Sequence, residues 1–274
     1  KPRRGRPQSA TALGDIPYLN GGLFARSGFE ERNRSLSLRD ELWREVLDET
    51  FERFSFCADE DDEQGVHIDP EMLGRVFESL MESDERAESG TYYTPRTLVD
   101  LLATDAITGW CAEDDRNLAG SVRALLAGEI DSIPSDGATK VLARLREIRV
   151  IDPACGSGAF LLSAMRSIET LSRRCSAALG ETIESDLRAR IVERSIFGVD
   201  LKSEAVRLCE LRLWLAIVSV SDHDAASVPP LPNLDRNVLQ GNSLVGPLDF
   251  LGGARSGVYR DWSNALRKRE KLVA

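Results

Sequence analysis

Residues 150–161 read Val150-Ile151-Asp152-Pro153-Ala154-Cys155-Gly156-Ser157-Gly158-Ala159-Phe160-Leu161, and this stretch decides the fold. The apolar run from Ile148 to Ile151, interrupted by Arg149, reads as a strand ending at Asp152. Two glycines then turn the chain into a helical pattern over 159–178. Glycine lets backbone come close to a ligand, and a helix start offers N–H donors that the helix itself does not use. Two familiar loops of this kind do not match. A dinucleotide fingerprint wants a small residue where Leu161 stands, and an acid roughly 20 residues on. The next strand-end acid, Asp200, lies about twice that far past Gly158. A phosphate-binding P-loop would need Gly-Lys-Ser or Gly-Lys-Thr after the turn, and none follows.

Downstream, a helix is expected over 182–194 and a second strand over Ile196 to Val199, ending at Asp200. A strongly apolar helix over 203–220, with Trp214 and its neighbours in the core, leads through a proline-rich loop to a third strand near Asn237 to Leu239. This alternation predicts a parallel α/β sheet. Upstream the chain reads as helical. Ser37 and Asp40 are spaced like a capping box before Leu42, Trp43, Val46, Leu47, Phe51 and Phe54. Asp69-Pro70 opens a second stripe through Met72 and Leu80, and Thr94-Pro95 a third through Leu98 and Ile107. Residues 112–147 read as two short helices around a Pro134/Gly137 turn, and the acidic run from Asp59 to Glu63 as a solvated loop.

The chain has 274 residues, 42% hydrophobic and 29% charged, with a formal net charge of −10. That suits a folded protein and weighs against strong nucleic-acid binding by this stretch alone. The apolar runs are too short for a membrane span, and cytoplasmic placement is expected. The five cysteines are scattered without a CxxC pair, and His67 and His223 are the only histidines, so no metal site is expected. Cys155 reads as a small packing residue, and both histidines as exposed and inert.

Asp152-Pro153-Ala154-Cys155-Gly156-Ser157-Gly158 resembles the first motif of DNA adenine-N6 methyltransferases. The resemblance implies a Rossmann-like class I methyltransferase sheet, here incomplete and preceded by a mainly helical segment. It implies S-adenosylmethionine as cofactor. The loop residues Asp152, Pro153, Ala154, Gly156, Gly158 and Phe160 would wrap its amino-acid part. Phe197-Gly198-Val199-Asp200-Leu201 resembles the second motif, so Asp200 would bond the ribose hydroxyls and Leu201 would pack on the adenine. Pro232-Asn233-Leu234-Asp235 and Gln240-Gly241-Asn242-Ser243-Leu244 resemble the segment before and at the third, with Asn242 near the adenine amine. Gly90-Thr91-Tyr92-Tyr93-Thr94-Pro95 resembles the motif that closes over the methionine end. Tyr93, Thr94 and Pro95 would touch the cofactor there, although the two tyrosines could also form a plain aromatic turn. Asp152 could instead merely cap its loop, and Asp200 could be an ordinary strand-end acid.

An upstream Tyr-Tyr-Thr-Pro element marks the class with a C-terminal recognition domain. Leu19-Asn20-Gly21-Gly22-Leu23-Phe24 and Ile68-Asp69-Pro70-Glu71 further resemble single-chain restriction–modification enzymes and phage-exclusion (BREX-type) methyltransferases. The family's catalytic Asn-Pro-Pro-Tyr run, whose Asn would bond a flipped adenine, has no counterpart here. Pro229-Pro230 follows Val228 and reads as a stiff loop. The expected organisation is therefore a helical N-terminal or connector segment over 1–89 and the first part of a methyltransferase domain over 90–274. That part stops before the catalytic motif, holds no catalytic residue and is inactive alone. Double-stranded DNA would be met through parts outside this piece, with a fused nuclease or defence-system subunits as further partners and no membrane. Two other readings stay open: a non-catalytic cofactor-binding module, and a methyltransferase of the same fold acting on RNA, protein or a small molecule.

Overall fold

The computed structural model describes residues 31–35, 37, 39–51, 55–56, 67–68, 72, 74, 94–112, 115–183, 186–218 and 234–245. Within them the chain is helix-rich around a small parallel sheet, an incomplete α/β arrangement. A short helix, α1 (Asp40–Val46), runs into a π-helical turn over Leu47–Phe51. Two-residue strands β1 (Ser55–Phe56) and β2 (His67–Ile68) pair in parallel. Then come α2 (Arg96–Ala112), α3 (Arg116–Ala127) and α4 (Ser135–Glu147). The sheet region follows as β3 (Val150–Asp152), α5 (Ala159–Leu179), α6 (Leu187–Ser195), β4 (Ile196–Asp200), α7 (Ser203–Val218) and β5 (Val238–Gln240).

Local chemistry explains the helix ends. Asp115 caps α3, its Oδ1 accepting from the N–H groups of Asn117 at 2.9 Å and Leu118 at 3.2 Å. Gly128 and Gly180 close α3 and α5 in the left-handed conformation that glycine takes without a Cβ penalty. Three expectations need correction. Ser37 does not cap α1: Arg39 holds the cap position, without a side-chain bond. Gly137 lies inside the first turn of α4, because Pro134 sets the extended residue from which that helix starts. The helix expected from 182 begins only at Leu187.

The strands pair in the order β3-β4-β5, all parallel. Val150 lies opposite Ile196, Asp152 opposite Gly198, and Gly198 opposite Val238. Side chains alternate between faces along a strand. Ile196, Gly198 and Val238 are buried under the helices, which join one core that runs from Ile107 of α2 to Ile217 of α7. Ile151, Phe197, Val199 and Leu239 share the other face, and Ile151 is 66% exposed.

Buried polar groups lock the helices at the N-terminal ends of the strands. The Asn237 amide donates to the carbonyls of Val192 (3.1 Å), Glu193 (2.9 Å) and Ile196 (2.9 Å), which ties the end of α6 to the start of β5. Glu169 on α5, buried, pairs with Arg188 at 2.6 Å and Arg173 at 2.9 Å. Arg188 also donates to the Ala216 carbonyl at 2.7 Å. Arg174 takes the Leu125 and Leu126 carbonyls at the end of α3, groups with no partner inside that helix.

Candidate cofactor site

The glycine loop leaves β3 at its C-terminal end, where open α/β sheets bind ligands. Asp152 turns back on the loop, its Oδ1 accepting from Ala154 N–H at 3.0 Å. Burial raises its carboxyl above the ordinary range. The Ala154 bond opposes that shift, and the nearby Asp200 charge adds to it. Gly156 and Gly158 have φ of 51° and 87°, a region that strains any residue with a Cβ. Cys155 N–H donates to the Val199 carbonyl at 2.9 Å, so the loop leans on the end of β4.

Asp200 is the junction of the site. Its Oδ2 accepts from Gly156 N–H at 2.8 Å and its Oδ1 from Lys202 N–H at 2.9 Å. Its carbonyl accepts from Gly241 N–H at 2.8 Å. A carboxylate offers about four acceptor positions, so two remain for a ligand. Asn242, just past β5, uses Oδ1 to accept from Leu244 N–H at 3.0 Å. Among the described residues its amide nitrogen has no partner. Ser243 Oγ donates to the Pro153 carbonyl at 2.7 Å, so the turns after β3 and β5 meet. Pro153, Ala154, Leu201, Asn242 and Leu244 are exposed, and Phe160 is half-buried.

Thr94 and Pro95 precede α2, and Pro95 accepts from the N–H groups of Leu98 and Val99. Ser163 Oγ donates to Asp100 Oδ1 at 2.5 Å, with Arg96 and Arg166 each 3.6 Å from that carboxylate. This clasp lays the first turns of α2 beside the first turns of α5, the helix that the glycine loop opens. Tyr93 lies outside the described residues, as do Tyr92, most of the stripe expected after Asp69, the acidic run and the 219–233 loop. The structure thus brings together Asp152, Pro153, Gly156, Asp200 and Asn242.

Sequence reasoning missed four supporting residues. Gly198 sits in mid-strand because a Cβ there would lie 2.8 Å from Leu161 Cδ1 and 2.9 Å from Cys155 Sγ. A glycine inside a strand is a readable sign of close approach. Ser157 and Arg212 are joined, Nη1 donating to the Ser157 carbonyl at 2.7 Å and Oγ at 2.9 Å. Cys209 packs under Gly158, and its thiol is pushed well up by a hydrogen bond with Cys155 and by burial. Cys155 is buried, as a packing residue should be. An open groove of about 380 Å³ between α4, α5 and α6 lies at the other end of α5. It includes none of the residues named for the site. No group of metal-ligating side chains occurs among the described residues, and no helix there is long and apolar enough to cross a membrane.

The glycine loop and its two acids thus meet at the open end of the sheet, and this chain is similar to known methyltransferases. Residues 131–245 match the family described as MmeI, DNA-methyltransferase domain. A protein of Methanocaldococcus jannaschii, assigned as a type II restriction enzyme and methyltransferase, is 32% identical over 256 residues, which cover 86% of this chain and 21% of that one. DNA methyltransferase A of Bacillus subtilis is 23% identical over 211 residues, covering 74% of this chain and 20% of its own length. A type II restriction enzyme and methyltransferase of Escherichia coli is 29% identical over 107 residues, covering 34% of this chain and 11% of its own. The chain therefore spans about a fifth or less of these curated relatives. A solved structure of the type IIL restriction-modification enzyme MmeI with DNA aligns over 68% of this chain and 24% of that one, at 20% identity and a TM-score of 0.46. The chain is thus similar to a DNA-methyltransferase domain over 131–245, and to parts of restriction–modification enzymes.

Proposed function

We propose that these residues form the S-adenosylmethionine-binding part of a site-specific DNA adenine-N6 methyltransferase whose recognition domain lies C-terminal. The observation that carries the reading is the junction at Asp200, where one strand-end carboxylate draws in the glycine loop and keeps acceptor capacity for a diol. The residues fit such a ligand. Where a Cβ on Gly156 would sit, no atom of the described residues other than its chain neighbours lies within 4 Å, so among them the loop's outer side is open. Two half-buried acids, Asp152 and Asp200, suit a cation.

When bound, the cofactor supplies an electrophilic methyl group on a good leaving group. The protein's part is positioning and hydrogen-bond acceptance rather than strong base catalysis. In this reading Asp200 accepts from the ribose hydroxyls and Leu201, exposed beside it, covers the adenine. Asn242 meets the adenine edge with its unused amide. Asp152, Pro153, Ala154, Gly156, Gly158 and Phe160 wrap the amino-acid part, with Tyr93, Thr94 and Pro95 closing over it. No Asn-Pro-Pro-Tyr run occurs among the 274 residues, so this stretch alone binds cofactor without transferring methyl. Calorimetric titration with S-adenosylhomocysteine tests the reading. Asp200→Ala should weaken binding about tenfold or more, the scale of lost charge-assisted hydrogen bonds. Undiminished affinity in that variant would remove Asp200 from the site.

A further inference from the structure

Arg212 is the largest fully buried side chain of α7, at 2% exposure, in a stripe that otherwise reads Leu211, Leu213, Trp214. A guanidinium out of water is costly unless its donors are well used. Here Nη1 reaches across the core to one residue of the glycine loop, meeting both the carbonyl and the hydroxyl of Ser157. The peptide that follows is trans and planar. Its carbonyl is held by Arg212, and its other end, Gly158 N–H, donates to the Cys155 carbonyl at 2.8 Å. The plane of the Ser157–Gly158 peptide is therefore fixed at both edges. One turn earlier on α7, Cys209 fills the space where a Gly158 Cβ would sit, 2.5 Å from Sγ. Gly74 closes the clasp from upstream. A Cβ there would lie 2.7 Å from Ser157 Oγ and 2.9 Å from Arg212 Nη1.

We infer that Arg212 is a positioning residue for the cofactor's amino-acid end, acting through Ser157 to set the direction of the glycine-loop peptides. The inference rests on the cofactor reading above. The clasp touches the loop and not the Asp200–Asn242 side, so it should matter for a ligand with the amino-acid part and little for one without it. Two probes separate these cases: S-adenosylhomocysteine, and 5′-methylthioadenosine, which lacks the amino and carboxylate groups. Both are titrated calorimetrically into the full-length protein.

Arg212→Met should weaken S-adenosylhomocysteine by about tenfold or more and methylthioadenosine by about threefold or less. Arg212→Lys, which keeps one cationic donor within reach of both Ser157 oxygens, should recover much of the loss. Gly74→Ala leaves α7 intact and should show the same selectivity for the longer ligand. If Arg212→Met does not fold, the lysine and Gly74 variants carry the comparison. Equal losses for both ligands would reduce Arg212 to general support and overturn the inference. So would wild-type affinity for S-adenosylhomocysteine in Gly74→Ala. A wild-type protein that binds neither ligand would remove the cofactor reading, and the inference with it.

Discussion

The two ends of the small sheet are built from similar polar groups and use them in opposite ways. At the N-terminal ends of the strands, Asn237 spends its amide on three carbonyls and Glu169 spends its carboxylate on two arginines. At the C-terminal ends, Asp200 and Asn242 make enough local bonds to hold a turn and keep further capacity facing solvent. Satisfaction marks scaffold, and spare capacity in a fixed frame marks a site. The difference predicts which substitutions cost stability and which cost binding.

The largest expected effect is at the closed end. Glu169→Ala leaves Arg188, whose side chain is 11% exposed, buried beside no counter-charge. Breaking such a pair costs about 3–5 kcal/mol. Denaturant unfolding should show that loss, and cofactor affinity at a temperature where the variant stays folded should not change. A small stability loss would mean that water reaches Arg188. Asp200→Ala is the mirror case, a large loss of binding with little change in stability.

A smaller effect comes from Glu210 on α7. Burial and the Asp235 charge lift its carboxyl to about 7, against a lowering pull from Arg207. The folded state then holds a proton that the unfolded chain has released. Stability contributed by the neutral form should fall as pH rises from about 4.5 to about 7. Glu210→Gln should flatten that slope and gain roughly 1–2 kcal/mol at pH 8. A variant with the wild-type pH profile would show that Glu210 ionises normally.

Much of the sheet end was legible. A strand-end acid, two glycines and a helical stripe specify local geometry, because few residues tolerate φ near 51° or 87°. The limits of α5 and β4 follow from periodicity to within a residue. Long-range partners were not legible. That Asp200 draws in Gly156, or that Ser243 reaches Pro153, depends on which strand lies beside which, and no local pattern encodes it. Arg212 was hidden by its company, since a lone cation in an apolar stripe reads as a snorkelling surface residue until its acceptors are known. The α1 stripe misled in the other direction. Leu42, Trp43, Val46 and Leu47 keep helical spacing, yet all are exposed and the helix slips into a π-turn. Periodicity marks a face and does not say what covers it.

The central claim is that the open end of the sheet holds the cofactor with Asp200 on its ribose. A crystal structure of the protein with S-adenosylhomocysteine tests it directly. The account predicts the ribose hydroxyls within hydrogen-bonding distance of the Asp200 carboxylate and the amino-acid end over Gly156–Gly158. A ligand seated elsewhere, or with its ribose away from Asp200, would contradict it.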